Sequence, residues 1–256
     1  MRNPSPAGTP SGGPDRTHRA DLARSVRLLR EFRYEQPDPA RFYTALAADS
    51  AAQLASFAPM RGATMLDVGG GPGFFRDAFE AAGAGYFALD ADVGELSGRG
   101  EIGRRTVIGD GMEMPFADAT FDICYSSNVL EHVPEPWRMA QEMVRVTRPG
   151  GTVFVSYTVW WGPWGGHETS PWHVLGGRLA RRRYVRRHGH EPKNRYGESL
   201  FAVTVREGLR WAASQPGVSV VAALPRYHPR WAWTVLKVPV LRELVTWNLV
   251  LVLRKG

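Results

Sequence analysis

The stretch "MLDVGGGPGFF", residues 65–75, joins a short apolar run to a helical pattern through a turn that holds Gly69, Gly71 and Gly73. Glycines at such a turn let a ligand lie against bare backbone and meet the N-terminus of the following helix. Spacing separates the alternatives. A dinucleotide-binding G-x-G-x-x-G starting at Gly69 needs its third glycine at the position of Phe74. A P-loop needs Gly-Lys-Ser/Thr after its glycines, and none follows. Gly69, Gly71 and Gly73 instead give G-x-G-x-G. Asp67 precedes this turn, and Asp90 and Asp110 close two later apolar runs. One such acid is ordinarily a solvated loop carboxylate. Three at consecutive strand ends beside a glycine turn point to hydrogen-bond acceptors for a ligand.

These residues need strands and helices to position them. Residues 65–68, "GYFALDAD", "RRTVIGDG", "FDICYSS" and "TVFVSYT" read as five successive strands. Helical patterns lie between several of them. One carries Phe75 and Phe79 on one face, and another, "EPWRMAQEMVRVTRPGG", is predicted to run until Pro149 and two glycines stop it. Strand–helix alternation implies a mostly parallel sheet covered on both faces. Later, "TVREGLRWAASQPG" opens with a Thr204–Glu207 capping box, and "VSVVAAL" and "TWNLVLVLRKG" read as the last strands. Ahead of the sheet, Leu22, Val26, Leu29 and Phe32 recur at helical steps, with Arg24, Arg27 and Arg30 off that stripe. Asp38 and Pro39 open a second helix.

The single cysteine, Cys124, excludes an intrachain disulfide framework and fits a reducing cytosol. Its apolar setting reads as a core thiol. Residues 1–15 are rich in Pro, Gly and Ser, lack the apolar core of a signal peptide, and read as a disordered tail. The longest apolar stretch contains Lys237, Pro239, Arg242 and Glu243, which makes it a poor membrane span. Net charge is +7, and it is local. The segment from Arg178 to Arg195 supplies the excess, and the remainder is close to neutral.

With these motifs in order, the chain resembles the class I S-adenosylmethionine-dependent methyltransferases (type 11-like) over residues 64 to about 157. "LDVGGGPG" looks like the family's first motif and "ALDAD" like its acid-ended second strand. "GDGMEMPFADATFDICYSSNVLEHV" looks like its third and fourth strands, and "RVTRPGG" like the turn before the fifth. The C-terminal half is similar to a narrower group of actinobacterial methyltransferases of the cell envelope. The resemblance implies a Rossmann-like α/β fold with a seven-stranded, mostly parallel sheet and S-adenosylmethionine as cofactor. Asp90 would accept from the ribose hydroxyls and Asp110 from the adenine amino group. Asp67 would lie near the cofactor's ammonium. Gly69, Gly71 and Gly73 would offer backbone, Gly111 an amide, and Met112 an apolar contact for the ring. Ser127 and Asn128 would meet the cofactor where the fourth strand ends. The implied domains are a helical lid at 16–60 and a methyltransferase domain at 61–256, with an insertion at about 158–199.

The methyl group on a sulfonium is already activated, so positioning the acceptor does most of the work. An alcohol acceptor also needs a base. His132 in "LEHV" and His167 in "GGHETS" are the candidates, and each also has a structural reading. His167 and His173 do not have the spacing of a helical ligand pair, so no metal site is expected. Nitrogen-directed members of the family carry D/N-P-P-Y/F where this chain has Ser126, Ser127 and Asn128. That leaves a small-molecule, glycan or lipid oxygen as acceptor, with carbon as a minor option; the resemblance to envelope methyltransferases implies a lipid or glycolipid acceptor in cell-envelope biosynthesis. The alternative is a non-catalytic S-adenosylmethionine-binding scaffold or sensor at the membrane surface. The arginine run and the tryptophans of "WWGPWGGHETSPWH" suit peripheral contact with an anionic membrane, at the inner face of the plasma membrane. Packing of those rings onto the sheet is the other reading, and nucleic acid is not expected as a partner.

Overall fold

The computed structural model describes residues 18–35, 37–96 and 105–256, so the N-terminal tail lies outside the described residues. Seven strands form one sheet: β1 Thr64–Val68, β2 Gly85–Asp90, β3 Thr106–Ile108, β4 Phe121–Ser127, β5 Thr147–Thr158, β6 Val218–Pro225 and β7 Asn248–Lys255. Their order is β3-β2-β1-β4-β5-β7-β6. β1 to β5 pair in parallel, and β7 runs antiparallel to both β5 and β6. Chain order reverses between β1 and β4, and open α/β sheets bind ligands at such a switch point, outside the carboxyl ends of the strands.

Alternation along each strand divides the core. In β1, Leu66 joins the face covered by α5 (Pro136–Val146) and α7 (Val205–Ser214). Its neighbour Met65 joins the face covered by α2 (Pro39–Ala55) and α3 (Arg76–Ala81). β7 repeats this, with Leu249, Leu251 and Leu253 on one side and Val250 and Val252 on the other. Burial on both faces is why this strand is apolar from Leu249 to Leu253. Cys124 is fully buried in the first cluster, and burial pushes its thiol up to about 12, so it stays protonated.

Local signals set the helix ends. Asp38 caps α2 by accepting from the Arg41 amide, with Pro39 at the first position. Thr204 and Glu207 form both halves of the capping box on α7. Helix α5 departs from expectation by ending at Val146, well before Pro149. Thr147 is already extended and paired with Phe121, so β-pairing takes the backbone before proline would stop the helix. Its hydroxyl donates back to the Met143 carbonyl, closing the last turn.

Helix α1 (Leu22–Phe32) forms as its periodicity predicts, but the opposite face turns inward. Leu22 and Leu29 are 60% and 51% exposed, whereas Arg24 is 3% exposed. The Arg24 guanidinium makes a bidentate pair with Asp49 of α2 at 2.8 and 2.6 Å, and donates to the Arg226 carbonyl at 2.8 Å. Breaking a buried pair on one side leaves an uncompensated charge. Asp49→Ala should therefore cost about 3–5 kcal/mol in urea unfolding, and Arg24→Leu in the same chain should restore much of it. A cost below about 1 kcal/mol would mean that water already screens Arg24.

Candidate active site

The glycine turn leaves β1 with Gly69, Gly71 and Gly73 all at positive φ, which glycine adopts without strain. At Gly69 space also decides, because a Cβ would lie 2.3 Å from a methyl of Val129. The turn is tied to the end of β2 by Asp90. Its Oδ2 accepts from the Gly71 amide at 2.9 Å and its Oδ1 from the Asp92 amide at 2.9 Å. Each oxygen keeps a further lone pair for a ligand hydroxyl. Tyr43 of α2 stacks on Phe74 at 5.3 Å, which brings the N-terminal helices against the turn.

The other predicted residues gather at the same edge, with some corrections. Asp110 lies beyond the end of β3, in an exposed turn where its Oδ1 accepts from the Met112 amide at 2.7 Å. Gly111 and Met112 follow, half-buried. Asp67 is buried beneath the turn and accepts from the Tyr86 hydroxyl at 2.7 Å. Asn128 leaves β4 at φ 57°, and its Oδ1 accepts from Asn248 at 2.6 Å. The Ser127 hydroxyl accepts from Arg226 at 2.6 Å.

Arg226 was not legible in the sequence. It follows β6 in "LPRYH", far from every motif, and is fully buried. Its guanidinium donates to Ser127, Ser156, Ser50 and Tyr125, joining the ends of β4 and β5 to α2. No periodicity marks it, because its partners are hydroxyls brought in from three separate elements, β4, β5 and α2.

The two candidate bases, distant in sequence, meet. His132 sits in a short turn after β4, His167 in a short turn after β5, and their rings are 5.1 Å apart. Burial, with His132 alongside, pushes His167 down to about 4, so it is neutral near pH 7. His173, the other histidine of that loop, points elsewhere. It is buried against Trp160 and within 3.2 Å of the Gly162 carbonyl. The tryptophans divide as well. Trp160 is buried against Tyr196, whereas Trp161, Trp164 and Trp172 are exposed. Helix α6 (Gly177–His188) carries much of the basic run, part of which is neutralised: Arg181 pairs with Glu191 and Glu198.

A turn of three positive-φ glycines, with carboxylates at the end of β2 and just beyond β3, fits S-adenosylmethionine. Sheet order and site together define a class I S-adenosylmethionine-dependent methyltransferase. Comparison with known proteins agrees. Residues 66–155 match the family described as "Methyltransferase domain". A methyltransferase of Mycobacterium marinum is 56% identical over 245 residues, covering 92% of this chain and 95% of the relative. One from Mycobacterium tuberculosis is 56% identical, with coverage of 92% and 96%. The chain belongs to this methyltransferase family. Among solved structures, a S-adenosylmethionine-dependent methyltransferase from Mesorhizobium loti shares the fold. Its TM-score is 0.57 at 19% identity, over 81% of this chain and 98% of that one.

Burial disfavours the charge on Asp67 and pushes its carboxyl up to about 7; the Asp90 charge adds to this and the Tyr86 hydroxyl opposes it. An unfolded carboxyl ionises near 3.9. Between about pH 4 and 7 the unfolded chain loses this proton and the folded chain keeps it, so the stability from this group falls as pH rises. In the ligand-free protein, Asp67→Asn should gain on the wild type in thermal unfolding from about pH 5 to 8. Parallel pH profiles would show that Asp67 is already ionised at the lower end.

Proposed function

We propose that this methyltransferase acts on an oxygen of a lipid or lipid-linked acceptor, of glycolipid or smaller size, in cell-envelope biosynthesis. The observation that carries this reading is the outward apolar stripe of α1. Leu22, Val26 and Leu29 are exposed, and the groove beside them is completed by Arg30, Phe32, Arg33 and Trp164. Trp164 belongs to the segment after β5, so the stripe borders the acceptor side. It packs with Phe32 and Trp247, at 5.2 and 5.7 Å. Apolar side chains ringed by arginine and tryptophan suit the interface of an anionic membrane. Later in the same segment, Arg183 lies over the exposed Trp172 ring at 4.0 Å. Among the described residues no helix is long and apolar enough to cross a membrane.

In this reading residues 16–60 form the lid and the segment at about 158–199 forms the acceptor wall. Asp90 holds the ribose hydroxyls and Asp110 the adenine amino group, with the Gly111 amide and the Met112 side chain against the ring. Asp67 faces the ammonium. The glycine backbone, Ser127 and Asn128 complete the cofactor's surroundings. Bound S-adenosylmethionine supplies the electrophilic methyl. His132 and His167 are the groups placed to act on the acceptor hydroxyl.

Three measurements test this. Asp90→Ala should weaken S-adenosylmethionine binding roughly 100-fold by calorimetry, as expected for two charge-assisted hydrogen bonds of about 1.5 kcal/mol each. Unchanged affinity would remove Asp90 from the ribose. Adding an envelope lipid extract should release S-adenosylhomocysteine, and a silent extract would return the scaffold alternative. Co-sedimentation with vesicles should need anionic lipid, weaken with salt and be lost in Leu29→Asp. Salt-insensitive sedimentation, or sedimentation that Leu29→Asp leaves intact, would exclude α1 as the contact.

A further inference from the structure

Glu131, His132 and His167 converge at the carboxyl ends of β4 and β5. One ligand-type atom from each lies within 4.8 Å of the others. Glu131 is 1% exposed, and its two oxygens differ. Oε1 accepts from the Thr158 amide at 3.0 Å, while Oε2 has no hydrogen-bond partner. His167 Nε2 is likewise buried without a partner. Leaving such an atom unsatisfied costs about 1–3 kcal/mol, and more for a charged one. Two of them on neighbouring groups ask for a common partner.

The third residue is prepared for the same partner. His132 Nδ1 lies 2.8 Å from the Ser199 carbonyl. A carbonyl only accepts, so Nδ1 carries the proton and Nε2 presents its lone pair. Histidines that bind metals are fixed in this way by an outer carbonyl or carboxylate. His167 is held at φ 48°, a conformation uncommon outside glycine and found at sites where the surroundings impose it. Two imidazoles and one carboxylate suit a zinc-like divalent ion and leave a position open.

We infer that Glu131, His132 and His167 form a three-ligand site for a divalent transition-metal ion of the zinc class, with its open position toward the methyl acceptor. The open side rests on the acceptor-edge reading above; the ligand set does not. Ligand bonds of about 2.0–2.2 Å require small side-chain rotations that draw the three groups inward. In this arrangement the histidines act on the acceptor oxygen through the ion instead of as free bases.

The test uses the full-length, untagged chain, stripped with chelator and titrated with Zn²⁺, with bound metal measured by mass spectrometry. His188→Asn and His190→Asn are placed in every sample, because those two rings lie 6.1 Å apart on α6 and just beyond it. One equivalent of zinc should bind. His167→Asn, which suits the positive φ, and Glu131→Gln, which keeps the shape, should each weaken it by more than the ~10–100-fold that losing an outer-shell partner costs. Both variants should keep S-adenosylmethionine affinity, which reports folding. Substituting Co²⁺ should give the visible absorption of a nitrogen- and oxygen-ligated ion in the parent and not in the variants. Absence of stoichiometric zinc, or zinc retained in both variants, would overturn the site. Zinc uptake needs no acceptor, so a failed lipid assay leaves this result standing, and a failed zinc titration leaves the lipid assay standing.

Discussion

Arg226 carries a full charge in the interior, and the hydroxyls that its two terminal nitrogens reach, with its Nε left unpartnered, hold this molecule's working edge together. Its side chain reaches the hydroxyls of Ser127 and Ser156 at the ends of β4 and β5, Tyr125 within the sheet, and Ser50 on α2. Its carbonyl accepts from Arg24, which is paired with Asp49. One residue thus links the sheet edge to both N-terminal helices. Ions in a low-dielectric interior tolerate little displacement from their partners, because each lost contact is a desolvated charge left unpaired. That constraint fixes the position of α1 and α2 over the site and turns the apolar stripe of α1 outward.

The two halves of the site are built differently. On the cofactor side the backbone does most of the work: positive-φ glycines, and a carboxylate that clips the turn to β2. Beyond β4 and β5 the groups are side chains on short turns, Glu131 and His132 after β4 and His167 after β5. Their orphaned atoms and strained backbone mark a region whose polar demands are not met internally.

Much of the fold was legible because the signals were local. The apolar runs that became β1, β2 and β7 end at glycine or acid, and the caps at Asp38 and Thr204 announce their helices. The end of α5 was misjudged because Thr147 is claimed by pairing with Phe121, a contact that local sequence cannot show. The stripe on α1 signalled a helix without saying which face is buried. That choice went to Arg24, whose partner Asp49 lies on another helix.

The sequence by itself determined the sheet, the glycine cradle and the acids around it, since each depends on residues close in the chain and on backbone conformations only certain residues adopt. It also nominated His132 and His167 separately. Tertiary structure decided that these two histidines share one site with Glu131, that His173 does not, and that Arg226 supports the edge beneath Ser127. The difference is physical. Backbone propensities act over a few residues. Satisfying a buried charge or an unpaired ring nitrogen depends on which distant segments the fold brings within hydrogen-bonding reach.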